Sequence, residues 1–192
     1  MPDPNPEAMA FLAARRSYPA KLLSLPVPDR AHLTAILTAA LRVPDHGKLE
    51  PWRMVVLERK ALDRLAALAG VRGAALGLED EQTGKGVAQF AASPLCVAVV
   101  ASPVPSPKIP PIEQTLSAGA LCMGLLNAAH AAGWGAAWLT GWPAHDRGFL
   151  EAGLALDPGE WLAGFVHIGT AGPASPDRPR PDPAVRVTWA SA

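Results

Sequence analysis

The sequence predicts an α+β fold in which one mixed sheet is flanked by helices. One indication is a helical period after Asp29, where apolar residues recur at i, i+3, i+4, i+7 and i+8: Leu33, Ile36, Leu37, Ala40 and Leu41. Another is the continuous apolar run 95–101, which is typical of a central strand covered on both faces. Because the 192 residues show no internal repeat and no domain boundary, we expect a single domain over 1–192.

The other elements follow from local patterns along the chain. The second helix ends before Pro44, because the residue before a proline avoids the α region. Further helices are predicted at 6–14, 61–78, 112–132 and 146–152. Further strands are predicted at 52–58, 136–139 and 161–168. The proline-rich residues 102–111 are predicted to form an irregular loop.

The C-terminal residues form a second proline-rich stretch followed by an alternating one. Residues 171–183 are too polar for a core and too stiff for a flexible linker. Residues 184–190 alternate between apolar and polar side chains, which predicts a final strand. A strand that follows such an extended arm often pairs away from its own core.

The composition narrows the classes of partner. Acidic and basic side chains balance, with 17 of each, whereas proteins that bind nucleic acid or anionic membranes usually have a basic excess. Cys96 and Cys122 lie in apolar patterns, so we expect buried free thiols rather than a disulfide or a redox pair. Reduced cysteines are typical of the cytoplasm, and the first residues lack the pattern of a signal peptide.

No charged residue occurs between Glu113 and Asp146. A stretch of this length could span a bilayer, but it contains Gln114 and Asn127 and reads as a helix followed by a strand. A helix that is apolar on all sides can also be the central helix of a protein, covered by its own sheet and by a partner subunit. We expect such a buried helix here and no membrane span.

Two short segments carry the strongest signals for function. Arg15, Arg16 and Ser17 follow the first helix, and a planar guanidinium fork with a hydroxyl donor matches phosphate oxygens. The alternative is a solvated helix end at which arginine complements the helix dipole. The second segment, 44–52, joins a helix to a strand through a stiff loop with Asp, His and Lys side chains. Together they suggest a planar cofactor that bears a phosphate.

These segments resemble the nitroreductase family of FMN-dependent oxidoreductases, and most closely its small YdjA-like subgroup. The resemblance extends in order over nearly the whole chain, through the motifs RRS at 15–17, RVPDH at 42–46, PW at 51–52, SAG at 117–119, GWGAAW at 133–138 and GFVHIGT at 164–170. It implies a mainly antiparallel mixed sheet, with a C-terminal arm and strand exchanged in a homodimer.

The resemblance also implies an activity. NAD(P)H would deliver a hydride to flavin N5 and leave, and an electron-poor acceptor such as a nitroaromatic or a quinone would then take its place, in a ping-pong cycle. Because the flavin carries the chemistry and solvent can supply the proton, no side chain is assigned a catalytic role. Two alternatives stay open. One is a flavin-binding protein with a storage, sensing or structural role and little turnover, and the other is a relative that consumes its own reduced flavin with oxygen.

By the same resemblance, nine residues contact FMN: Arg15, Arg16, Ser17, Arg42, His46, Trp138, Leu139, Thr140 and Arg180. Arg178 is the other candidate for the contact assigned to Arg180. Pro19 stands where the family often has a lysine near the flavin, and Glu50 stands where it often has glutamine, so neither is included. Residues 128–133 correspond to the region where the subgroup places a pyridine nucleotide.

Other sites are not supported by the spacing of residues. The glycines at 133 and 135 do not follow a strand and open a helix, which excludes a Rossmann fingerprint and favours a helix stop. The five histidines lack metal-ligand spacing, so we expect no metal site.

Overall fold

A computed structural model describes residues 3–173 and 177–190, and within them the fold is α+β. One four-stranded sheet runs in the order β1-β2-β4-β3, with every described pair antiparallel. Its strands are β1 Trp52–Leu57, β2 Cys96–Ala101, β3 Gly135–Leu139 and β4 Trp161–Gly169. The α+β class is confirmed, while the parallel pairing that a mixed sheet requires does not occur within the described chain.

Seven helices surround this sheet within the described residues. They are α1 Pro6–Ala14, α2 Arg30–Ala40, α3 Arg59–Ala75, α4 Asp80–Ala91, α5 Pro111–Ala131, α6 Arg147–Leu154 and α7 Pro183–Arg186. Side-chain caps begin several of them: Asn5 accepts from the Ala8 N–H at 3.0 Å, and Asp29 accepts from the His32 N–H at 2.8 Å.

The sheet lies between two helical layers. β2 is buried along its whole length, and its side chains alternate between the layers. Val97 and Val99 belong to the core shared with α2 and α5, whereas Cys96 and Ala98 belong to the core shared with α3, α4 and α6. This burial on both faces explains why β2 is a continuous apolar run.

Most predicted elements are confirmed to within a few residues, but the structure differs from the prediction in two places. Helix α4 was not predicted at all. The final strand at 184–190 is wrong, because Asp182 caps a turn of helix whose first residue is Pro183, and its carboxylate accepts from the Ala184 N–H at 2.9 Å. Residues 187–190 join no strand of the described chain, and 174–176 of the proline-rich stretch lie outside the described residues.

Helix α5 carries no charged residue after Glu113 in its first turn, and one of its faces is buried, as predicted. Its inner face includes Leu121, Cys122 and Leu125, which pack against the sheet and α2. None of the helices in the described ranges has the length and apolar character that crossing a membrane requires.

Candidate functional site

The segment 15–17 is held between α1 and β3. The N–H of Arg15 donates to the carbonyl of Phe11 at 2.8 Å and closes the last turn of α1. The backbone then becomes extended, and the N–H of Tyr18 donates to the carbonyl of Ala136 at 3.0 Å. The three predicted phosphate ligands are therefore fixed at both ends.

The C-terminal segment brings further arginines to the same place. Arg180 donates to the carbonyl of Ala13, and Arg16 Nη1 lies 3.4 Å from the carboxylate of Asp177. The two segments enclose a space of about 470 Å³, here called the arginine cavity, which is lined by Arg15, Arg16, Ser17, Asp177, Arg178, Pro179, Arg180 and Pro181. Four arginines and one carboxylate give this cavity a positive field.

A second space of about 480 Å³, here called the aromatic cavity, adjoins the first. It is lined by Phe11, Ala14, Arg15, Arg16, Tyr18, His130, Gly133, Trp134, Ala171 and Asp177. Arg15, Arg16 and Asp177 line both cavities, so the two spaces form one continuous region.

The end of α5 places His130 in the aromatic cavity. Gly133, at φ 83°, ends the helix in a left-handed conformation, as the sequence predicted. Its N–H donates to the His130 carbonyl at 3.0 Å, and the Trp134 N–H donates to the Ala129 carbonyl at 3.0 Å. This pair of bonds is a Schellman motif, and it fixes the last turn on which His130 lies.

The loop after α2 forms a separate polar site around Arg42. Asp45 organises this loop, since its carboxylate accepts from the N–H groups of Leu49 at 3.1 Å and Glu50 at 2.8 Å. Lys48 and Glu50 both have positive φ, at 53° and 48°, a strained conformation that is often found at functional sites. Arg42 lines a cavity of about 380 Å³ together with Thr38, Leu41, Val43, Asp45, Lys48, Glu50 and Trp52.

His46 lies in the same loop and reaches α5. Its Nδ1 is 2.7 Å from Oε2 of Glu113, in the first turn of that helix. Nearby, the indole N–H of Trp52 donates to Oγ of Ser117 at 2.9 Å. These two contacts hold the loop against the start of α5.

The predicted residues 138–140 lie at the end of β3. The register between β2 and β4 shifts at Ala163, and the indole N–H of Trp138 donates to the carbonyl of that residue at 3.2 Å. Trp138 and Leu139 remain more than one third exposed. Since a strand rises about 3.3 Å per residue, residues 138–140 lie roughly 7 to 13 Å along the chain from Ala136, the residue that accepts from the Tyr18 N–H.

The Nitroreductase family model matches residues 12–170. The chain belongs to the Nitroreductase family. "Putative NAD(P)H nitroreductase YdjA" of Escherichia coli (strain K12) is 33% identical over 184 residues, covering 95% of this chain and 99% of the relative. A "Putative NAD(P)H nitroreductase" of Haemophilus influenzae is 36% identical over 165 residues, covering 85% of this chain and 88% of the relative.

Solved structures of the Nitroreductase family share this fold. A nitroreductase-like family protein from Bacillus cereus has a TM-score of 0.79 at 21% identity, with all of both chains covered. A nitroreductase with bound FMN from Bacteroides fragilis NCTC 9343 has a TM-score of 0.71 at 19% identity, covering 96% of this chain and 99% of that one. At these identities the likeness establishes the fold alone.

Within this Nitroreductase-family chain, the predicted cofactor residues fall into separate groups. Arg15, Arg16, Ser17 and Arg180 line one cavity, and Arg178 lines it as well. Arg42 lines a cavity that shares no residue with the arginine and aromatic cavities. One described chain therefore does not bring all nine residues to a single place.

The structure also adds polar residues that the sequence did not single out. Asp177 contacts Arg16, which is 161 positions away in sequence, and Glu113 contacts His46, which is 67 positions away. His130, within the predicted nucleotide region 128–133, lines the aromatic cavity together with Arg15. A pattern of neighbouring residues gives no signal for such contacts.

The cysteines match the prediction of buried free thiols. Burial raises the pKa of Cys122 to about 12 and that of Cys96 well above its ordinary value, so both thiols stay protonated at neutral pH. Over the described part of the chain, no three His, Cys, Asp or Glu side chains are grouped so as to hold a metal ion.

Proposed function

We propose that this protein is a single-domain, cytoplasmic FMN-dependent oxidoreductase that uses NAD(P)H to reduce nitroaromatics, quinones or similar electron-poor acceptors. The observation that carries the proposal is the arginine cavity, where Arg15, Arg16, Ser17 and Arg180 converge from both ends of the chain. The names of the two relatives point to NAD(P)H as the reductant, and the Bacteroides fragilis structure contains FMN.

The donors present fit the phosphate of FMN. Arg15 Nη1 is buried and has no hydrogen-bond partner among the described residues, although an unpaired buried cationic donor is costly. A phosphate would accept from this atom, from Arg16 and from the hydroxyl of Ser17. We assign the phosphate to these residues, with Arg180 closing the cavity from the C-terminal side.

The ring of FMN would lie further along β3 and near the loop after α2. FMN, when bound, supplies hydride transfer through its N5 atom. Arg42 would place a positive charge near the ring, which stabilises negative charge on it, and His46 would offer a second polar contact. Trp138, Leu139 and Thr140 would line the ring with backbone groups and the Thr140 hydroxyl. Residues 128–133 would receive the pyridine nucleotide.

A homodimer accounts for the separation of Arg42 from the arginine cavity. If each cofactor lies between two copies, one copy supplies Arg15 to Ser17 and the other supplies Arg42 and His46. α5 carries an exposed apolar stripe of Ile112, Leu116 and Met123, which at i, i+4 and i+11 lie on one helix face. Such a stripe is typical of an interface. We propose that the C-terminal arm crosses to the partner beyond Arg180, so that residues 184–190 of the two copies are exchanged.

The first experiment is an absorbance spectrum of the purified protein before and after anaerobic NADPH or NADH. We expect a flavin spectrum that is bleached by the reductant and restored by a nitroaromatic or a quinone, with steady turnover. A yellow protein that neither nucleotide reduces would instead favour a flavin-storage or sensing role. Loss of flavin from the reduced protein in air would indicate that it consumes its own cofactor.

The dimer is tested on the exposed stripe of α5. Leu116→Glu should produce monomers in light scattering and should release FMN, because a charge on the stripe opposes association. Val71→Glu on α3 is the matched control, since Val71 is 66% exposed and Leu116 is 65% exposed. A Leu116→Glu protein that remains dimeric and yellow would contradict the proposed interface.

A further inference from the structure

We propose that Arg15 and His130 form a phosphate-binding pair in the aromatic cavity. Four buried side-chain N or O atoms lack a hydrogen-bond partner among the described residues, and two of them, Arg15 Nη1 and His130 Nδ1, belong to residues that line this one cavity. Two unpaired polar atoms on residues that line one space are expected where a ligand completes the hydrogen bonding. The proposal deepens the proposed function, and it rests on that function insofar as the phosphate belongs to FMN.

The backbone around His130 engages one ring nitrogen and leaves the other without a partner. Nε2 lies 3.2 Å from the Ala136 nitrogen and 3.2 Å from the Ala136 carbonyl oxygen, so it accepts from the first or donates to the second according to the tautomer. Nδ1 has no partner among the described residues in either case. In the imidazolium, Nε2–H donates to the Ala136 carbonyl, and Nδ1–H is a buried donor that needs an acceptor, as Arg15 Nη1 does.

The charges around the cavity favour an anion as that acceptor. Burial lowers the pKa of His130, a hydrogen bond to the Ala136 backbone opposes this in part, and the nearby Arg15 charge lowers the pKa further, so the ring is neutral at pH 7 without a ligand. The other ionisable groups that line the cavity are Arg16, Tyr18 and Asp177, and the single carboxylate already pairs with Arg16 at 3.4 Å. No described carboxylate pairs with His130 or with Arg15.

The remaining walls define the class of ligand. Phe11, Tyr18 and Trp134 supply aromatic surface, and Tyr18 meets the His130 ring edge-on at a centroid distance of 5.9 Å. A phosphate attached to an organic group fits this combination of two donors and apolar walls. Two ligands offer that chemistry, namely the phosphomonoester of FMN and a phosphate of the pyridine nucleotide.

The test measures binding by calorimetry with FMN, riboflavin and NADP⁺. His130→Leu keeps the bulk of the side chain and removes the donor. We expect this variant to bind the phosphate-bearing ligand roughly 10- to 150-fold more weakly, since one hydrogen bond to a charged group is lost. His130→Asn restores a donor near the position of Nδ1 and should recover part of the affinity. His145→Leu, at an exposed histidine, is the control and should change nothing.

The pattern of losses identifies the source of the phosphate. If His130→Leu binds FMN more weakly but riboflavin equally well, the pair binds the flavin phosphate. If the variant loses affinity for NADP⁺ alone, the pair binds a phosphate of the nucleotide. Unchanged affinity for all three ligands in His130→Leu would overturn the inference while leaving the proposed function intact.

A second measurement does not depend on variants or on FMN. An NMR titration of the whole wild-type protein with inorganic phosphate should raise the pKa of His130, because a bound anion favours the imidazolium, and should leave the ring signals of the exposed His145 unmoved by phosphate. No change at His130 would overturn the inference. If the wild-type protein fails to bind FMN, the proposed function fails, and this titration still decides the role of His130.

Discussion

Replacing Glu160 with Gln tests how the sheet is fixed near the loop that carries Arg42. The Glu160 side chain is 9% exposed and accepts two bonds from Arg53 of β1, at 2.7 and 2.6 Å. It also accepts from Oγ of Ser102 at 2.5 Å and from the Asp157 N–H at 3.0 Å. One carboxylate thus joins the start of β1, the end of β2 and the turn before β4.

The size of the effect follows from the pKa. Hydrogen bonding from the Arg53 guanidinium lowers the pKa of Glu160 from 4.5 to about 2. Such a difference corresponds to about 3 kcal/mol of folding free energy. Because the Arg53 side chain is 39% exposed, solvent screening reduces the expected contribution to about 2 kcal/mol. Glu160→Gln should therefore lower the free energy of unfolding by about 2 kcal/mol at pH 7.

The pH dependence distinguishes this cause from a general loss of packing. The folded-state pKa lies below the unfolded one, so the stabilisation is complete above about pH 5 and is lost as the pH falls towards 2. Urea unfolding should be followed by circular dichroism at pH 7, 5, 4 and 3. As the pH falls, the free energy of unfolding of the wild type should approach that of Glu160→Gln. Glu151→Gln, in the exposed pair with Arg147, is the control and should cost less than about 0.5 kcal/mol. The reasoning would be refuted if both variants lost the same free energy of unfolding, or if the difference between the wild type and Glu160→Gln did not change with pH.

Three further predictions concern the region around the arginine cavity. Arg15→Ala combined with Ser17→Ala should weaken FMN binding by several kcal/mol, at about 1.5–3 kcal/mol for each charge-assisted bond, and full flavin occupancy after gel filtration would contradict the placement of the phosphate. Asp177→Asn removes the one carboxylate of the described lining and should lower the dissociation constant for FMN in calorimetry, whereas Glu7→Gln, outside that lining, should not. Gly133→Ala forces a left-handed φ on alanine in open space, so urea unfolding should show a loss of about 1 kcal/mol; an unchanged midpoint would mean that no such strain arises.

The fold was predictable where local pattern and tertiary burial agree. The apolar run of β2 is explained by burial on both faces, and the glycine that ends α5 by a left-handed φ. Both predictions are confirmed. Helix α4 was not predictable in the same way, because Gly84 and Gly86 lower its helical propensity and packing against α3 stabilises it instead. At the C-terminus the alternation at 184–190 suggested a strand, but Asp182 with Pro183 is a strong helix start.

The candidate site was predictable only in part, for a related reason. Arg15 to Ser17 are adjacent in sequence, so they can be recognised as a phosphate-binding motif. His130 is a single histidine in an apolar helix, and its meaning depends on Ala136 and Arg15, which the fold brings to it. The grouping of Arg42 away from the arginine cavity was likewise not visible, since the motif order says nothing about which cavity each residue lines.

The partners of the other arginines show why Arg15 points to a ligand. Arg53 donates twice to Glu160, at 2.7 and 2.6 Å, and Arg72 donates twice to Asp146, at 2.7 and 2.9 Å. Arg59 donates to three carbonyl groups near the end of α4. Folding alone therefore pairs the guanidinium groups of these three arginines, whereas Arg15 keeps a buried nitrogen without a partner in the described chain. Since a ligand that binds only the folded state adds its binding free energy to stability, a phosphate that satisfies Arg15 should also raise the resistance of the fold to urea.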